Sequence, residues 1–264
     1  MDLGLRDATV VVAGGGRGMG LAAARCFADE GARIAVFART RTDLDKAVDD
    51  LHGRGSPDAV GIVVDVRDAT QVERAFAELA DRWGGLNVLV NAVGPDVRGT
   101  VESLTDDQWR TAFDDGVLGI VHTVRSALPL LRRADWARIV NFSASSTQRQ
   151  TVSLAAYTAA KAAVTSISKN LSLQLAPDEI LVNVVSPGSV ASDSLLAWAR
   201  SVGVDSEDPY ALMAAITEHF GHPAHLPRVG LPEEVGPVVA FLGSRRNSYM
   251  TGANVNVDGG TDFT

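Results

Sequence analysis

Short runs rich in β-branched residues alternate along this chain with longer segments that have a helical period. The predicted strands are 8–13, 33–38, 59–64, 88–91, 137–142, 181–185 and 254–257. The predicted helices are 19–30, 42–52, 70–83, 106–133, 153–176 and 232–244. This alternation is typical of βαβ units with right-handed crossovers. It predicts one α/β domain over residues 1–264, a doubly wound parallel sheet in a three-layer α/β/α arrangement.

A glycine-rich turn joins the first predicted strand to the first predicted helix. It reads Ala13-Gly14-Gly15-Gly16-Arg17-Gly18-Met19-Gly20. Residues without side chains let the backbone turn sharply and approach a pyrophosphate, whose charge meets free N–H groups at the helix N-terminus. We therefore expect a Rossmann fold that binds a dinucleotide through Gly14, Gly16, Arg17, Gly18, Met19 and Gly20. The alternative is a tight turn with no ligand.

The end of the second strand predicts which dinucleotide binds. An acidic residue there would hydrogen-bond a free ribose 2′-hydroxyl, but the chain has Ala38 followed by Arg39, with Arg41 close behind. A guanidinium pairs with a 2′-phosphate, and Arg17 adds a second cation nearby. The pattern favours NADP(H) over NAD(H). The alternative is that Arg39 and Arg41 are solvated surface charges.

Tyr157 and Lys161 stand four residues apart on a predicted helix, so both project from one face. An ammonium at this spacing can lower the phenol pKa from its usual value of about 10, which suits tyrosine to proton exchange with an alcohol or carbonyl oxygen. Lysine occurs elsewhere only at Lys46 and Lys169. Alone, the pair could equally be a structural feature of the helix.

Several motifs occur together in a characteristic order. They are the glycine turn, Asp65-Val66, Asn91-Ala92-Val93-Gly94, Tyr157 with Lys161, Pro187-Gly188 and Val257-Asp258-Gly259-Gly260. In this order and spacing the chain resembles the short-chain dehydrogenase/reductase family over essentially its whole length, and is similar to its 3-oxoacyl-ACP reductases.

The resemblance implies a role for each motif. Asp65 and Val66 would flank the adenine, and the turn with Asn91, Ala92 and Gly94 would hold the central strand near the cofactor. Tyr157 would be the acid/base, while Lys161 would contact the nicotinamide ribose and lower the Tyr157 pKa. The carboxamide would be met by the turn with Pro187, Gly188, Val190 and Ser192.

Two positions depart from the family pattern. The family's second serine after this strand, which hydrogen-bonds the substrate oxygen, is Ala144 here. Ser143 or Ser145 could replace it only if the backbone shifts, since adjacent residues of an extended chain point to opposite sides. We take Ser145 as the candidate catalytic serine. The family's helix asparagine, which supports a water chain to the lysine, is Gly116, whose missing side chain leaves room for a water.

Composition excludes several kinds of partner. A net charge of −8 disfavours nucleic acid and anionic lipid, and no apolar run reaches the length of a membrane span. A single cysteine, Cys26, suits a reducing compartment, so we expect a cytoplasmic protein. His219, His222 and His225 lack metal-site spacing, and we expect no metal.

The segment 192–228 carries many apolar residues between a strand and a helix, which predicts a substrate lid. The alternative is a helical pair packed permanently on the body. Apolar surface along 106–133 and 153–176 predicts a homo-oligomer. The family resemblance implies that this oligomer is a tetramer.

Two functional hypotheses follow. The first is an NADPH-dependent reductase of a small-molecule carbonyl compound, or the reverse alcohol dehydrogenase. The second is a degenerate member of the family that binds the dinucleotide with little redox activity, as a sensor or assembly subunit. Ala144 and Gly116 motivate the second hypothesis.

Overall fold

The β-branched runs form the strands of one parallel sheet in the computed structural model, which describes residues 2–221 and 223–261. The strands are β1 (Thr9–Ala13), β2 (Arg33–Ala38), β3 (Ala59–Val63), β4 (Val88–Asn91), β5 (Ala137–Phe142), β6 (Ile180–Pro187) and β7 (Asn254–Val257). Their order across the sheet is β3-β2-β1-β4-β5-β6-β7. All neighbouring strands pair parallel. The prediction of a doubly wound α/β fold is confirmed.

Helices cover both faces of this sheet. They are α1 (Gly18–Asp29), α2 (Arg41–Gly53), α3 (Ala69–Trp83), α4 (Asp106–Phe113), α5 (Gly119–Leu131), α6 (Ala155–Gln174), α7 (Asp193–Ser201), α8 (Pro209–Phe220) and α9 (Pro232–Leu242). Because side chains alternate along a strand, Val10 and Val12 pack with α1, α2 and α9 in one core, while Val11 and Ala13 face α3, α5 and α6 in the other. The three-layer arrangement follows from this alternation.

The predicted helix 106–133 is interrupted. A π-helical turn, Asp114–Leu118, separates α4 from α5. Gly116 lies buried in this turn. The single-helix prediction was wrong because helical periodicity does not register the one-residue offset that a π-turn inserts.

A buried polar chain joins the middle of the sheet to its helices. The Asn91 amide donates to Asn141 Oδ1 (2.8 Å), and the Thr123 hydroxyl donates to Asn91 Oδ1 (2.7 Å). Asn141 in turn donates to Ser168 Oγ (2.9 Å). These bonds connect β4 and β5 to α5 and α6, so the strand ends that border the functional cleft are held by satisfied hydrogen bonds.

The segment 192–228 contains α7 and α8, which pack against each other around their own apolar cluster. Its fully buried members include Ala199, Leu212 and Val229, and Trp198 and Phe220 border them with ring centroids 5.1 Å apart. A helical pair with a separate core is compatible with both a lid and a fixed addition. Within the described residues, none of the helices is long and apolar enough to cross a membrane.

Candidate cofactor and active site

The turn after β1 brings backbone segments so close together that only glycine fits. A Cβ on Gly14, whose φ is +82°, would lie 2.6 Å from the carbonyl oxygen of Ala92, and a Cβ on Gly20 would collide with the Gly14 carbonyl. Arg17, the residue before α1, makes no side-chain cap to the helix within the described chain. The first N–H groups of α1 therefore face a cradle with no side chain in it, which fits a pyrophosphate.

This cradle opens into a cleft of about 390 Å³ at the carboxyl ends of β1, β2 and β4. The strand order of the sheet reverses between β1 and β4. Open α/β sheets bind their ligands at such a reversal. The predicted residues that line it are Gly14, Gly16, Arg17, Gly18, Met19, Gly20, Arg39, Asp65, Val66, Ala92, Gly94 and Ser192. Asn91, Tyr157, Lys161, Pro187, Gly188 and Val190 lie outside its lining. Asn91 instead belongs to the buried polar chain.

The two arginines at the end of β2 have different surroundings. Arg39 is exposed and lines the cleft. Arg41 donates to the carbonyl oxygen of Gly61 (3.1 Å) and lies 3.8 Å from Asp45, away from the cleft. Arg17 Nη1 lies 3.3 Å from Asp193 Oδ2, so this pair spans the cleft from the glycine turn to the start of α7.

Within residues 2–221 and 223–261, five carboxylates line the cleft, and sequence reasoning identified only Asp65. The others are Asp43, Asp96, Asp115 and Asp193. Asp193 and Ser194 directly follow the predicted Ser192, and Asp115 precedes the anomalous Gly116. Proximity to these motifs was the signal available for finding them. Asp43 lies at the start of α2 and carried no such signal.

A small ion network lies beside the part of the cleft that Asp65, Val66 and Asp115 line. Arg67 Nε donates to both oxygens of Asp65 at 3.0 Å and lies 3.5 Å from Asp115. The Arg67 hydrogen bond holds the pKa of Asp65 below its ordinary value, whereas burial raises the pKa of Asp115. His122 Nδ1 lies 2.9 Å from the carbonyl oxygen of Val66. The placement of the adenine beside Asp65 and Val66 stays a prediction.

The turn after β6 is anchored at the other end of the cleft. The Gly188 N–H donates to the Val257 carbonyl (3.0 Å), and a Cβ on Gly188 would lie 2.7 Å from Asp258 Cα. Val190 is buried and forms a bridge with Gly230. Ser192 caps α7 by accepting from the Leu195 N–H at 3.3 Å.

Lys161 is buried beneath the floor of the cleft. Its Nζ donates to the carbonyl oxygens of Phe142 (2.8 Å) and Val93 (3.2 Å). A Cβ on Gly94 would lie 2.5 Å from this Nζ, so the ammonium fills the space that the glycine leaves. Burial lowers the pKa of Lys161 to about 8.

Tyr157 lies one turn before Lys161 on α6 and is half-buried. Burial raises the pKa of its phenol, with Asp96 acting in the same direction and Arg98 acting to lower it. The Lys161 ammonium is turned to backbone carbonyls, and the expectation that it lowers the Tyr157 pKa stays a prediction.

The serines around Ala144 have different surroundings. The Ser143 hydroxyl donates to the Lys161 carbonyl (2.9 Å) and accepts from Thr165 (2.8 Å), so it faces α6. Ala144 is extended (φ −158°, ψ 147°), and Ser145 opens the 3₁₀ turn Ser145–Thr147. Ser145 is buried, and neither it nor Ala144 lines the cleft. Ser146 Oγ is buried with no partner in the part of the chain described.

The space beside Gly116 is occupied by protein. A Cβ there would lie 2.8 Å from Pro95 Cδ and 3.2 Å from Ala160 Cβ. The expectation that this position leaves room for an additional water is wrong, because the Pro95 ring fills the volume. Pro95 and Gly116 fit each other, and an asparagine side chain does not fit between them.

Two of the three histidines in this segment, His219 and His225, lie in the described residues. His219 Nδ1 lies 3.0 Å from the carbonyl oxygen of Ala215, and its ring packs edge-on against Trp198. His222 lies outside the described residues. Among residues 2–221 and 223–261, no group of three His, Cys, Asp or Glu side chains could hold a metal ion.

Restoring the family residue at Gly116 should damage the fold. We expect Gly116→Asn to lower the free energy of unfolding by about 1–3 kcal/mol, the usual range for overpacking a filled site. Urea denaturation measures it. Gly53→Asn is the matched control, because Gly53 lies at the end of α2 without a positive φ and has open space around its Cβ. Equal stability of Gly116→Asn and the unchanged protein would contradict the packing described here.

Known proteins are similar in sequence to this chain over nearly its whole length. A family model described as enoyl-(acyl carrier protein) reductase matches residues 13–262. The short-chain reductase protein NovJ of Streptomyces niveus is 32% identical over 97% of this chain and 94% of its own length. Meso-2,3-butanediol dehydrogenase of Serratia marcescens is 33% identical over 95% of this chain and 93% of its own.

A solved structure shows the same fold. L-sorbose reductase from Gluconobacter frateurii, complexed with NADPH and L-sorbose, superposes with a TM-score of 0.93 at 28% identity, covering 100% of both chains. The fold of this chain agrees with the fold of this relative. The chain belongs to the short-chain dehydrogenase/reductase family of oxidoreductases, which act on CH–OH and C=O groups.

Proposed function

We propose that this protein is an NADPH-dependent reductase of a ketone or other carbonyl compound, or a dehydrogenase of the corresponding secondary alcohol. The observation that carries the proposal is the placement of Tyr157 and Lys161 on one face of α6, with the Lys161 ammonium fixed at the cleft floor by Phe142 and Val93. The relatives include one reductase complexed with NADPH and one diol dehydrogenase, which supports this reaction class.

Different residues of the chain bind the cofactor and transfer the proton. When bound, the nicotinamide supplies or accepts a hydride. The glycine cradle binds the pyrophosphate, Asp65 and Val66 bound the adenine end, and Gly188, Val190 and Ser192 bound the nicotinamide end. Tyr157 donates a proton to the substrate oxygen in reduction and accepts it in oxidation.

Because the family's serine is absent, Tyr157 has two tasks at the substrate oxygen. A donor to a developing oxyanion contributes on the order of 10²–10³ in rate where such donors have been removed. With Ala144 at this position, Tyr157 must orient the substrate oxygen and also protonate it, unless Ser145 moves into the cleft. The degenerate-member hypothesis rests on the same two departures, Ala144 and Gly116.

The proton donor is tested by two substitutions assayed with an activated ketone and NADPH. We expect Tyr157→Phe to abolish reduction, because phenylalanine has no hydroxyl to donate to the substrate oxygen. We expect Ala144→Ser to raise turnover if the site has only lost a donor. If Ser145 has replaced it, Ala144→Ser gives little gain and Ser145→Ala is damaging.

Two results would decide against the proposal. Unchanged reduction by Tyr157→Phe would remove Tyr157 from the chemistry. Tight NADPH binding, measured by fluorescence, without turnover across a panel of ketones and quinones would favour the degenerate-member hypothesis.

Cofactor choice depends on the exposed Arg39. We expect NADPH to bind about 10-fold or more tightly than NADH, because charge-assisted contacts to the 2′-phosphate add to the shared contacts. Arg39→Ala should remove most of this preference and leave NADH binding unchanged, as measured by fluorescence titration. Arg41→Ala is the matched control, since Arg41 is bound to Gly61 outside the cleft. Equal dissociation constants for NADPH and NADH in the unchanged protein would refute the assignment.

A homotetramer is the proposed assembly. Along the segments 106–133 and 153–176, which carry the expected assembly surface, Val124 and Leu175 are buried within the protomer, whereas Leu118 is 44% exposed. Phe113 and Leu173 add exposed apolar area on α4 and α6. Light scattering at micromolar concentration should give four times the chain mass of 27.8 kDa, and a mass of one chain would contradict the proposal. The cytoplasmic location expected from the single cysteine stays a prediction.

A further inference from the structure

The ion pair between Arg17 and Asp193 crosses the cleft. Arg17 Nη1 lies 3.3 Å from Asp193 Oδ2, and both residues line the cleft. Arg17 belongs to the glycine turn after β1, and Asp193 is the first residue of α7, which follows β6. The two side chains are 70% and 64% exposed, so water competes with this ion pair and the pair is weak. A phosphate that enters the cleft can therefore take Arg17 from Asp193.

The sheet order shows that Arg17 reaches away from the second cation of the cleft. β2 lies beside β1 on one side, whereas β6 lies three strands from β1 on the other side. The Arg17 guanidinium is on the β6 side, where α7 begins. The proposed 2′-phosphate site is on the opposite side, at the exposed Arg39 that follows β2.

The backbone also lets Arg17 reach the β2 side. A Cβ on Gly16 would lie 3.1 Å from Ala38 Cβ. The residues that precede Arg17 and Arg39 are therefore neighbours, and the long Arg17 side chain can point toward β2 or toward β6. Two guanidinium groups side by side repel each other unless an anion lies between them. This repulsion favours the observed position of Arg17 beside Asp193 over a position beside Arg39.

We propose that Asp193 is a specificity-determining residue for the cofactor. Its carboxylate holds Arg17 on the β6 side, and a 2′-phosphate draws Arg17 to the β2 side, where it joins Arg39. Binding of NADPH therefore includes the loss of the Arg17–Asp193 ion pair, whereas NADH, which has no 2′-phosphate, leaves the pair intact. Asp193 thus reduces the preference for NADPH that the two arginines create. The inference rests on the proposed binding of NADPH.

The start of α7 does not depend on the Asp193 carboxylate. Ser192 caps the helix by accepting from the Leu195 N–H (3.3 Å). Ser194 Oγ holds the same end of α7 to the loop after β4 by donating to Asp96 Oδ1 (3.3 Å). The substitution Asp193→Asn should therefore leave the helix in place and release Arg17.

Fluorescence titration with NADPH and with NADH tests the proposal. The measure is the ratio of the NADH to the NADPH dissociation constant, because loss of the carboxylate also removes its repulsion of the pyrophosphate, which both cofactors carry. We expect Asp193→Asn to raise this ratio by about two- to fivefold, as for the release of an exposed ion pair. Asp205→Asn is the matched control. Asp205 is an exposed aspartate that lies 3.4 Å from Arg200 and outside the cleft lining, so the ratio should stay unchanged.

A double-mutant cycle assigns the effect to Arg17. We expect Arg17→Gln to lower the ratio, and Asp193→Asn to have no further effect on the ratio in that background. Calorimetric titration with 2′,5′-ADP and with 5′-AMP repeats the cycle with two ligands that differ only in the 2′-phosphate. Asp193→Asn should raise the preference for 2′,5′-ADP by the same factor as the preference for NADPH.

Two results overturn the proposal. An unchanged or lower ratio in Asp193→Asn means that the 2′-phosphate does not take Arg17 from Asp193. An equal rise of the ratio with and without Arg17→Gln means that the Asp193 carboxylate repels the phosphate directly and does not act through Arg17.

The proposed function and the role of Asp193 fail separately. If Arg39→Ala removes the preference for NADPH while Asp193→Asn leaves the ratio unmoved, the role of Asp193 is overturned and the proposed function stands. If no carbonyl compound is reduced, the proposed reaction fails, while the binding ratios still decide the role of Asp193. Equal binding of NADPH and NADH both in the unchanged protein and in Asp193→Asn overturns the cofactor assignment and the role of Asp193 together.

Discussion

The functional half of the structure depends on one buried ammonium. Lys161 Nζ binds the carbonyl oxygens of Phe142 and Val93, which come from the ends of β5 and β4. A buried charge is costly unless it is hydrogen-bonded, so these two contacts tie α6 to the sheet edge where the cleft opens. The same contacts determine that residue 94 is glycine, because a Cβ would occupy the position of the ammonium. The orientation of Tyr157, one turn earlier, follows from how α6 is held.

Close backbone approach explains both the regular and the irregular parts of the site. Gly14 lets the turn after β1 pack against Ala92, and Gly20 lets α1 pack against the Gly14 carbonyl. These two close approaches create the cradle. Gly116 serves a different purpose, because it admits the Pro95 ring into a π-helical turn. Gly116, where the chain departs from the family pattern, thus packs against Pro95. The loop that Pro95 begins also carries Asp96 and Arg98 to the cleft mouth.

The sequence predicted what repeats locally and missed what depends on distant contacts. Strand periodicity located all seven strands, and the glycine turn located the cradle, because both are encoded in neighbouring residues. The π-turn at Asp114–Leu118 was missed, since the offset of one residue leaves the apolar pattern of 106–133 nearly intact. The carboxylates Asp43 and Asp193 were missed because separate elements bring them to the cleft. The filling of the Gly116 space by Pro95 required knowing that residues 21 positions apart in the chain touch.

The acidic composition and the proposed anionic cofactor are compatible because charge in the cleft is paired locally. Asp65 is bound by Arg67, Asp96 lies beside Arg98, and Asp193 lies beside Arg17. Each of these three carboxylates is thereby offset by a guanidinium, while the net charge of −8 is spread over the whole chain. Over distances beyond about 10 Å, salt screens the remaining surface charge. What a phosphate meets at short range is the uncapped N-terminus of α1 and the exposed Arg39, and both are positive.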